Sequence, residues 1–218
     1  MSQMNPEIST PTANNAPPPP FVNQKITYGE FLRRYDGQYA EYVDGEVIKP
    51  MSVTQRHDDL TRFLQALLRF FVEAKRLGKI HGEPYQMKIL IDDKIKGREP
   101  DIFFVKTENF DRIGEQFFDG AADLVIEVVS RESVVRDTQE KFEEYETVGV
   151  EEYWVIDPNR RTANFYNLDE NGKYKLRYPS AEDVFESRVI EGLWIKTDWL
   201  WQDELPNLMD VLKGWKLV

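Results

Sequence analysis

The sequence predicts an α/β fold, a central mixed β-sheet flanked by α-helices. Three observations lead there. Leu60, Phe63, Leu64, Leu67, Leu68, Phe71 and Val72 recur at helical spacing. Residues 102–105 and 124–129 are continuous apolar runs, the second interrupted only by Glu127. Such runs suit strands covered on both faces. A second helical stretch and further strands follow them, so helices have sheet faces to pack on.

Residues 1–24 are rich in Pro, Asn, Thr and Ser and include Pro17 to Pro20. They lack apolar periodicity and read as a disordered tail. Thr27 is placed to cap a short helix carrying Phe31 and Leu32, with Glu30 at the capping-box position. Asp44-Gly45 between two short strand-like runs is a hairpin signal. The long helix covers about residues 57–77, with Gly78 as its expected end. Residues 85–91 alternate as a strand does. A helix over about 137–148 stops at Gly149, and 152–156 is a further strand before the turn Asp157-Pro158-Asn159. Residues 162–168 and 174–178 flank Asp169-Glu170-Asn171-Gly172 as a hairpin. Trp194, Trp199, Trp201 and Trp215 mark a packed C-terminal region. The expected division is a tail over 1–24, one domain over 25–203 and a C-terminal extension over 204–218. No internal repeat is present.

The 218 residues suit one domain with tails. A domain of roughly 150 residues buries about 70% of the surface its unfolded chain exposes, enough for a sizeable core. With 41% apolar and 31% charged residues, the chain reads as soluble and somewhat polar. There is no cysteine, which excludes a disulfide framework, thiolate metal ligands and a cysteine nucleophile. No apolar run approaches the roughly 20 residues that span a bilayer. No basic region leads into an apolar stretch at the N-terminus, so a cytoplasmic location is expected. The net charge of −11 opposes charge-driven binding to DNA or RNA, which needs Lys and Arg to displace counterions. It is compatible with an acidic metal site flanked by local basic residues.

Glu127 is the most informative residue. A carboxylate inside Leu-Val-Ile-Glu-Val-Val is costly unless it is paired or binds metal. By strand alternation it shares a face with Asp123 and Val125. A Glu with a salt-bridge partner near a strand end is the alternative. Asp101 opens the preceding strand after Arg98-Glu99-Pro100, where turn chemistry alone also explains an Asp. Together, two strands carrying one carboxylate each supply two oxygen ligands to a hard cation such as Mg²⁺. Asp137, Lys141 and Tyr145 lie at i, i+4 and i+8 on one helix face. A short loop would swing Lys141 over the carboxylates, to orient a metal-bound water or stabilise developing phosphorane charge. An exposed Asp137–Lys141 ion pair, worth about 0.3–0.5 kcal/mol, is the alternative. Glu41 in Tyr-Ala-Glu-Tyr-Val is a further candidate for the metal shell. His57 is a candidate acid–base group, although a His near a helix start also serves as a cap or surface residue. No phosphate-binding loop, dinucleotide glycine fingerprint or nucleophile elbow is present.

At this point the chain resembles a known family. The matching segments are Tyr39 to Ile48, His57 at the head of the long helix, and Arg98-Glu-Pro-Asp101. They continue with Ala122 to Ser130, Arg136-Asp-Thr-Gln-Glu-Lys141 with Tyr145, and Gly149 to Pro158. In this order they resemble the Uma-two family of bacterial restriction-endonuclease-like proteins, over roughly residues 26–200. That family is similar to the PD-(D/E)xK nucleases. The resemblance implies a restriction-endonuclease-like core and Mg²⁺-dependent hydrolysis of DNA phosphodiesters, with Mn²⁺ as a substitute, by a homodimer. Asp101 then matches the "D" and Glu127 the "(D/E)", with the Val128 carbonyl as a further metal ligand. The Lys expected two residues after Glu127 is replaced by Val129, and Lys141 matches the family's displaced Lys. Glu41 matches the additional N-terminal acidic residue. The usual Ser-Pro-Ser-Thr after the Glu strand is here Ser130-Arg131-Glu132-Ser133, without the Pro.

Two other readings stay open. One is a non-catalytic nucleic-acid-binding or assembly protein, with the Trp-rich C-terminus as an interface or simply as core. The other is a hydrolase of a different phosphate ester using the same metal site. No helix-turn-helix, zinc finger or basic stripe reveals a sequence reader.

Overall fold

The computed structural model describes residues 25–49, 52–130 and 133–218. The tail expected over 1–24, and Arg131 and Glu132 of the segment that lacks the family Pro, lie outside them. Thr27 caps helix α1 (Tyr28–Arg34) through the expected capping box with Glu30. Strands β1 (Glu41–Val43) and β2 (Glu46–Ile48) join through Asp44-Gly45, both with positive φ, as a two-residue hairpin turn requires.

Helix α2 (Gln55–Lys75) starts at the Thr54 cap and buries the predicted apolar stripe. It does not end on Gly78. Arg76 takes the left-handed C-cap position at φ 56°, while Gly78 opens strand β3 (Gly78–His81). A Cβ on Gly78 would lie 2.1 Å from the Val105 carbonyl oxygen, so close strand packing requires this glycine.

Strands β4 (Gln86–Ile91) and β5 (Lys94–Arg98) form a second hairpin through Asp92 and Asp93, again both at positive φ. Strands β6 (Ile102–Lys106), β7 (Phe117–Asp119) and β8 (Leu124–Val128) follow. A π-helical turn over Arg136–Glu140 then leads into helix α3 (Lys141–Val148), which ends on Gly149 at φ 86° as expected. Strands β9 (Glu152–Asp157), β10 (Thr162–Leu168) and β11 (Tyr174–Arg177) form a meander. A small hairpin, β12 (Val184–Glu186) with β13 (Trp194–Lys196), precedes helix α4 (Leu208–Gly214).

The fold is mixed α/β, as predicted. Strands β1 to β11 divide between two large mixed sheets, and β12 and β13 pair apart from both. The first runs β2-β1-β5-β4-β7 and is antiparallel except for β4/β7. The second runs β11-β10-β9-β8-β6-β3 and is antiparallel except for β8/β9. Parallel neighbours need a crossover, and α3 supplies the one between β8 and β9.

The six-stranded sheet is covered on both faces, which explains the continuous apolar runs. Ile102, Phe104, Leu124, Ile126 and Val128 pack with α2 and with Val211, Leu212 and Trp215 of the C-terminal segment. Phe103, Val105 and Val125 pack on the other side with Met87 and Ile89 of β4 and Tyr145 of α3. The Trp-rich region is core: Trp215 stacks edge-on against Phe71 at 5.1 Å, and Trp194 and Trp199 pack beside it. Glu127 shares the Val125 side, so its carboxylate points between the two sheets and α3.

Candidate active site

One short segment links the two sheets at the site. Strand β5 ends with Arg98, and Glu99-Pro100-Asp101 carries the chain into β6. Pro100 has no N–H, so it interrupts the ladder between the sheets without leaving a donor unpaired. Glu41 from β1, Asp101 before β6, Glu127 from β8 and Lys141 from α3 meet beside this segment. With His57 they line one cleft of about 170 Å³. All five sequence candidates, and Val128, are brought together there.

Lys141 Nζ is the centre. It lies 2.8 Å from Glu127 Oε1, 3.2 Å from Glu41 Oε1 and 3.6 Å from Asp137 Oδ1. Lys141 is only 2% exposed, so the alternative of a solvent-exposed i,i+4 pair does not hold. Burial opposes its charge, but Glu127, Glu41 and Asp137 outweigh that and hold it well above the usual lysine range. Lys141 is therefore an ammonium at neutral pH.

Glu127 is buried, and its Oε1 also accepts from the Tyr145 hydroxyl at 3.1 Å. Burial pushes its carboxyl well above the usual range, with Asp137 and Asp101 adding to the rise and Lys141 opposing it. Glu41 behaves oppositely. Burial alone would raise it, but Lys141 and Arg98 together hold it down at about 2. Both its oxygens are engaged: Oε1 by Lys141 and the Glu99 N–H, Oε2 by Arg98 Nη1 at 2.9 Å.

Asp101 Oδ2 accepts the Val128 backbone N–H at 2.6 Å and lies 3.4 Å from His57 Nε2. His57 is buried, and Thr54 caps its backbone N–H. Burial would lower its imidazole, but the bond and charge of Asp101 raise it above its usual value. The Nδ1 atom of His57 has no hydrogen-bond partner among the described residues.

The sequence reading missed several charged neighbours. Glu83, at the exposed rim of the cleft, is raised to about 7 by burial of its carboxyl and by Asp101. Glu99 is raised to about 8 by burial. Glu83 lies in a Gly-Glu-Pro turn with no periodic signal. Glu99 was visible only as one charge in a dense Arg-Glu-Pro-Asp run. Asp123, on the Glu127 face, sits at the other end of β8. Its oxygens go to the Lys106 N–H at 2.7 Å and Asn109 Nδ2 at 2.9 Å.

The donor set fits a hard divalent cation. Six carboxylates line the cleft (Glu41, Glu83, Glu99, Asp101, Glu127 and Asp137) against Lys49, Arg136, Lys141 and His57. Burial raises the carboxyls of Glu127, Asp137 and Glu83, and the charge of Asp101 adds to each rise. Among the described residues no three acidic or imidazole groups converge as a ready-made cage. Two carboxylates and a carbonyl suit Mg²⁺, which keeps several waters, better than Zn²⁺, which takes four close ligands.

A protein-family model described as "Uma2: Putative restriction endonuclease" matches residues 28–198. A crystal structure of a "putative nuclease belonging to DUF820" from Anabaena variabilis superposes with a TM-score of 0.65. It is 18% identical and covers 81% of this chain and 97% of its own, a likeness of fold. No curated protein sequence matches the chain.

Proposed function

The chain belongs to the Uma2 family, and from that premise we propose that it is a metal-dependent endonuclease hydrolysing DNA phosphodiester bonds. The observation that carries the reading is the buried Lys141 ammonium 2.8 Å from Glu127, in the cleft that also holds Asp101. A lysine fully withdrawn from water beside paired carboxylates is costly to maintain and clusters at functional sites.

Asp101, Glu127 and the Val128 carbonyl would hold Mg²⁺, with Mn²⁺ as a substitute. When bound, the ion supplies Lewis-acid polarisation and acidifies water. The remaining roles fall to the chain. Lys141 is held as an ammonium, so it orients the attacking water and offsets charge developing on the phosphoryl oxygens rather than taking a proton. Glu41 would support the metal shell by holding Lys141 through Oε1 at 3.2 Å. His57 would steady Asp101 and, with its raised proton affinity, serve as a general acid.

The substrate would be DNA, and a homodimer would bring one such site to each strand. No helix among the described residues is long and apolar enough to cross a membrane. The test is incubation of the full chain with plasmid and single-stranded DNA, with Mg²⁺, Mn²⁺ or EDTA, beside Glu127→Ala and Lys141→Ala. Metal-dependent nicking lost in both variants is expected. Cleavage that survives Glu127→Ala, or none under any condition, overturns the reading.

A further inference from the structure

Arg98 does not line the cleft, yet it is among the most deeply buried side chains of the protein, at 1% exposure. Its guanidinium grips two carboxylates at once. Nε and Nη2 donate to Glu144 Oε2 and Oε1 at 2.8 and 2.7 Å, while Nη1 donates to Glu41 Oε2 at 2.9 Å. Glu144 in turn accepts Lys96 Nζ at 2.6 Å. The other oxygen of Glu41 faces Lys141 at 3.2 Å. A continuous line of contacts thus runs Glu144–Arg98–Glu41–Lys141–Glu127, from helix α3 through strands β5 and β1 back to Lys141 of α3 and on to β8.

Only an arginine makes this connection. The planar fork fixes the angle between its two acceptors, whereas a lysine is a point charge that leaves it undefined. The same short segment also delivers Asp101, three residues on.

Resting on the nuclease reading above, we propose that Arg98, anchored by Glu144, is a positioning residue that sets Lys141 against Glu127 through Glu41. It touches neither substrate nor metal. Loss of the fork leaves the charge balance intact but lets the Glu41 carboxylate rotate and Lys141 drift. Misplacement of a reacting group by about 1 Å costs on the order of 100-fold in rate.

The test compares Arg98→Lys, which keeps the charge and removes the fork, with Glu144→Gln, which keeps the shape and weakens the anchor. For folded variants, kcat for plasmid nicking in Mg²⁺ is expected to fall roughly 10- to 100-fold, with KM within about twofold. An unchanged kcat overturns the proposal. So does a rate loss matching only the loss of folded protein, because that is a structural role. Crystal structures of both variants give a readout independent of activity. Lys141 and the Glu41 carboxylate are expected to leave their wild-type positions, and finding them in place overturns the proposal. If the wild-type chain cuts no DNA while the variant structures show the displacement, the nuclease reading fails and the positioning geometry stands.

Discussion

The Tyr145 hydroxyl donates to Glu127 Oε1 at 3.1 Å, the same oxygen that Lys141 holds. Tyr145 lies one helical turn beyond Lys141, so α3 presents two donors to one carboxylate oxygen. Glu127 is thereby pinned through Oε1. Tyr145→Phe removes one pin and keeps the ring packing against Tyr153. The expected cost is about 1 kcal/mol of stability, the usual net value of one buried hydrogen bond. Cleavage should slow several-fold with Mg²⁺ still required. Urea unfolding and single-turnover nicking check this, and an unchanged rate would mean the hydroxyl is structural only.

Lys141→Met leaves Glu127, Glu41 and Asp137 without their shared cation. Breaking a buried ion group on one side costs about 3–5 kcal/mol. The cost has a pH signature. Glu127 and Asp137 already have raised proton affinities, and losing Lys141 raises them further. Protonation of these groups at low pH removes the uncompensated charge. The deficit relative to wild type should therefore be larger at pH 8 than at pH 5, as chemical denaturation at both values would reveal. A deficit independent of pH contradicts the electrostatic account.

Glu99 makes a second pH prediction. Its carboxyl is raised by burial from 4.5 to about 8. Between these values the folded chain holds a proton that the unfolded chain has released. Stability from this group is therefore complete below about pH 4.5 and declines as pH rises to about 8. Glu99→Gln keeps an oxygen for the Ala40 N–H and abolishes the titration. In EDTA, its melting temperature relative to wild type should rise steadily from pH 5 to 8. A constant difference across that window rules the shift out.

Much of this was legible in the sequence, for identifiable reasons. The stripe of α2, the Asp44-Gly45 turn and the apolar runs of β6 and β8 are local patterns, and each appears in the fold. The candidate residues were legible as misfits, charges inside apolar segments. Strand β5 was not, because Lys94-Ile-Lys-Gly-Arg98 is charged and its turn is Asp92-Asp93, without the usual glycine. The Arg98–Glu144 link joins residues 46 apart, and no local pattern encodes it. Gly78 was misread for the same reason: its constraint is the Val105 carbonyl on another strand.

That misreading yields opposite outcomes at two neighbouring positions. Gly78→Ala should destabilise by about 1–3 kcal/mol, as overpacking does, since its Cβ would press on the Val105 carbonyl and the Phe104 ring. Arg76→Gly should stabilise by roughly 1 kcal/mol, by removing the cost of a left-handed L-residue at the cap. Melting temperatures of the two variants decide. Were Gly78 the helix cap, Arg76→Gly would bring no gain.

The excess of carboxylates over cations in the cleft predicts metal-linked stability. A cation that binds the folded chain and not the unfolded one stabilises by about 2.7 kcal/mol at 100 times its dissociation constant. Mg²⁺ or Mn²⁺ should therefore raise the melting temperature of the wild-type chain with DNA absent. Asp101→Asn should abolish the rise, and Glu127→Gln should do so while keeping an oxygen for Tyr145. Glu99→Gln, outside the proposed ligand set, should retain it. The experiment separates binding from catalysis: a chain stabilised by metal but inert on DNA would hold the cation for another phosphate ester. One that neither binds metal nor cuts would be using Lys141 and its three carboxylates as a buried structural joint between the sheets.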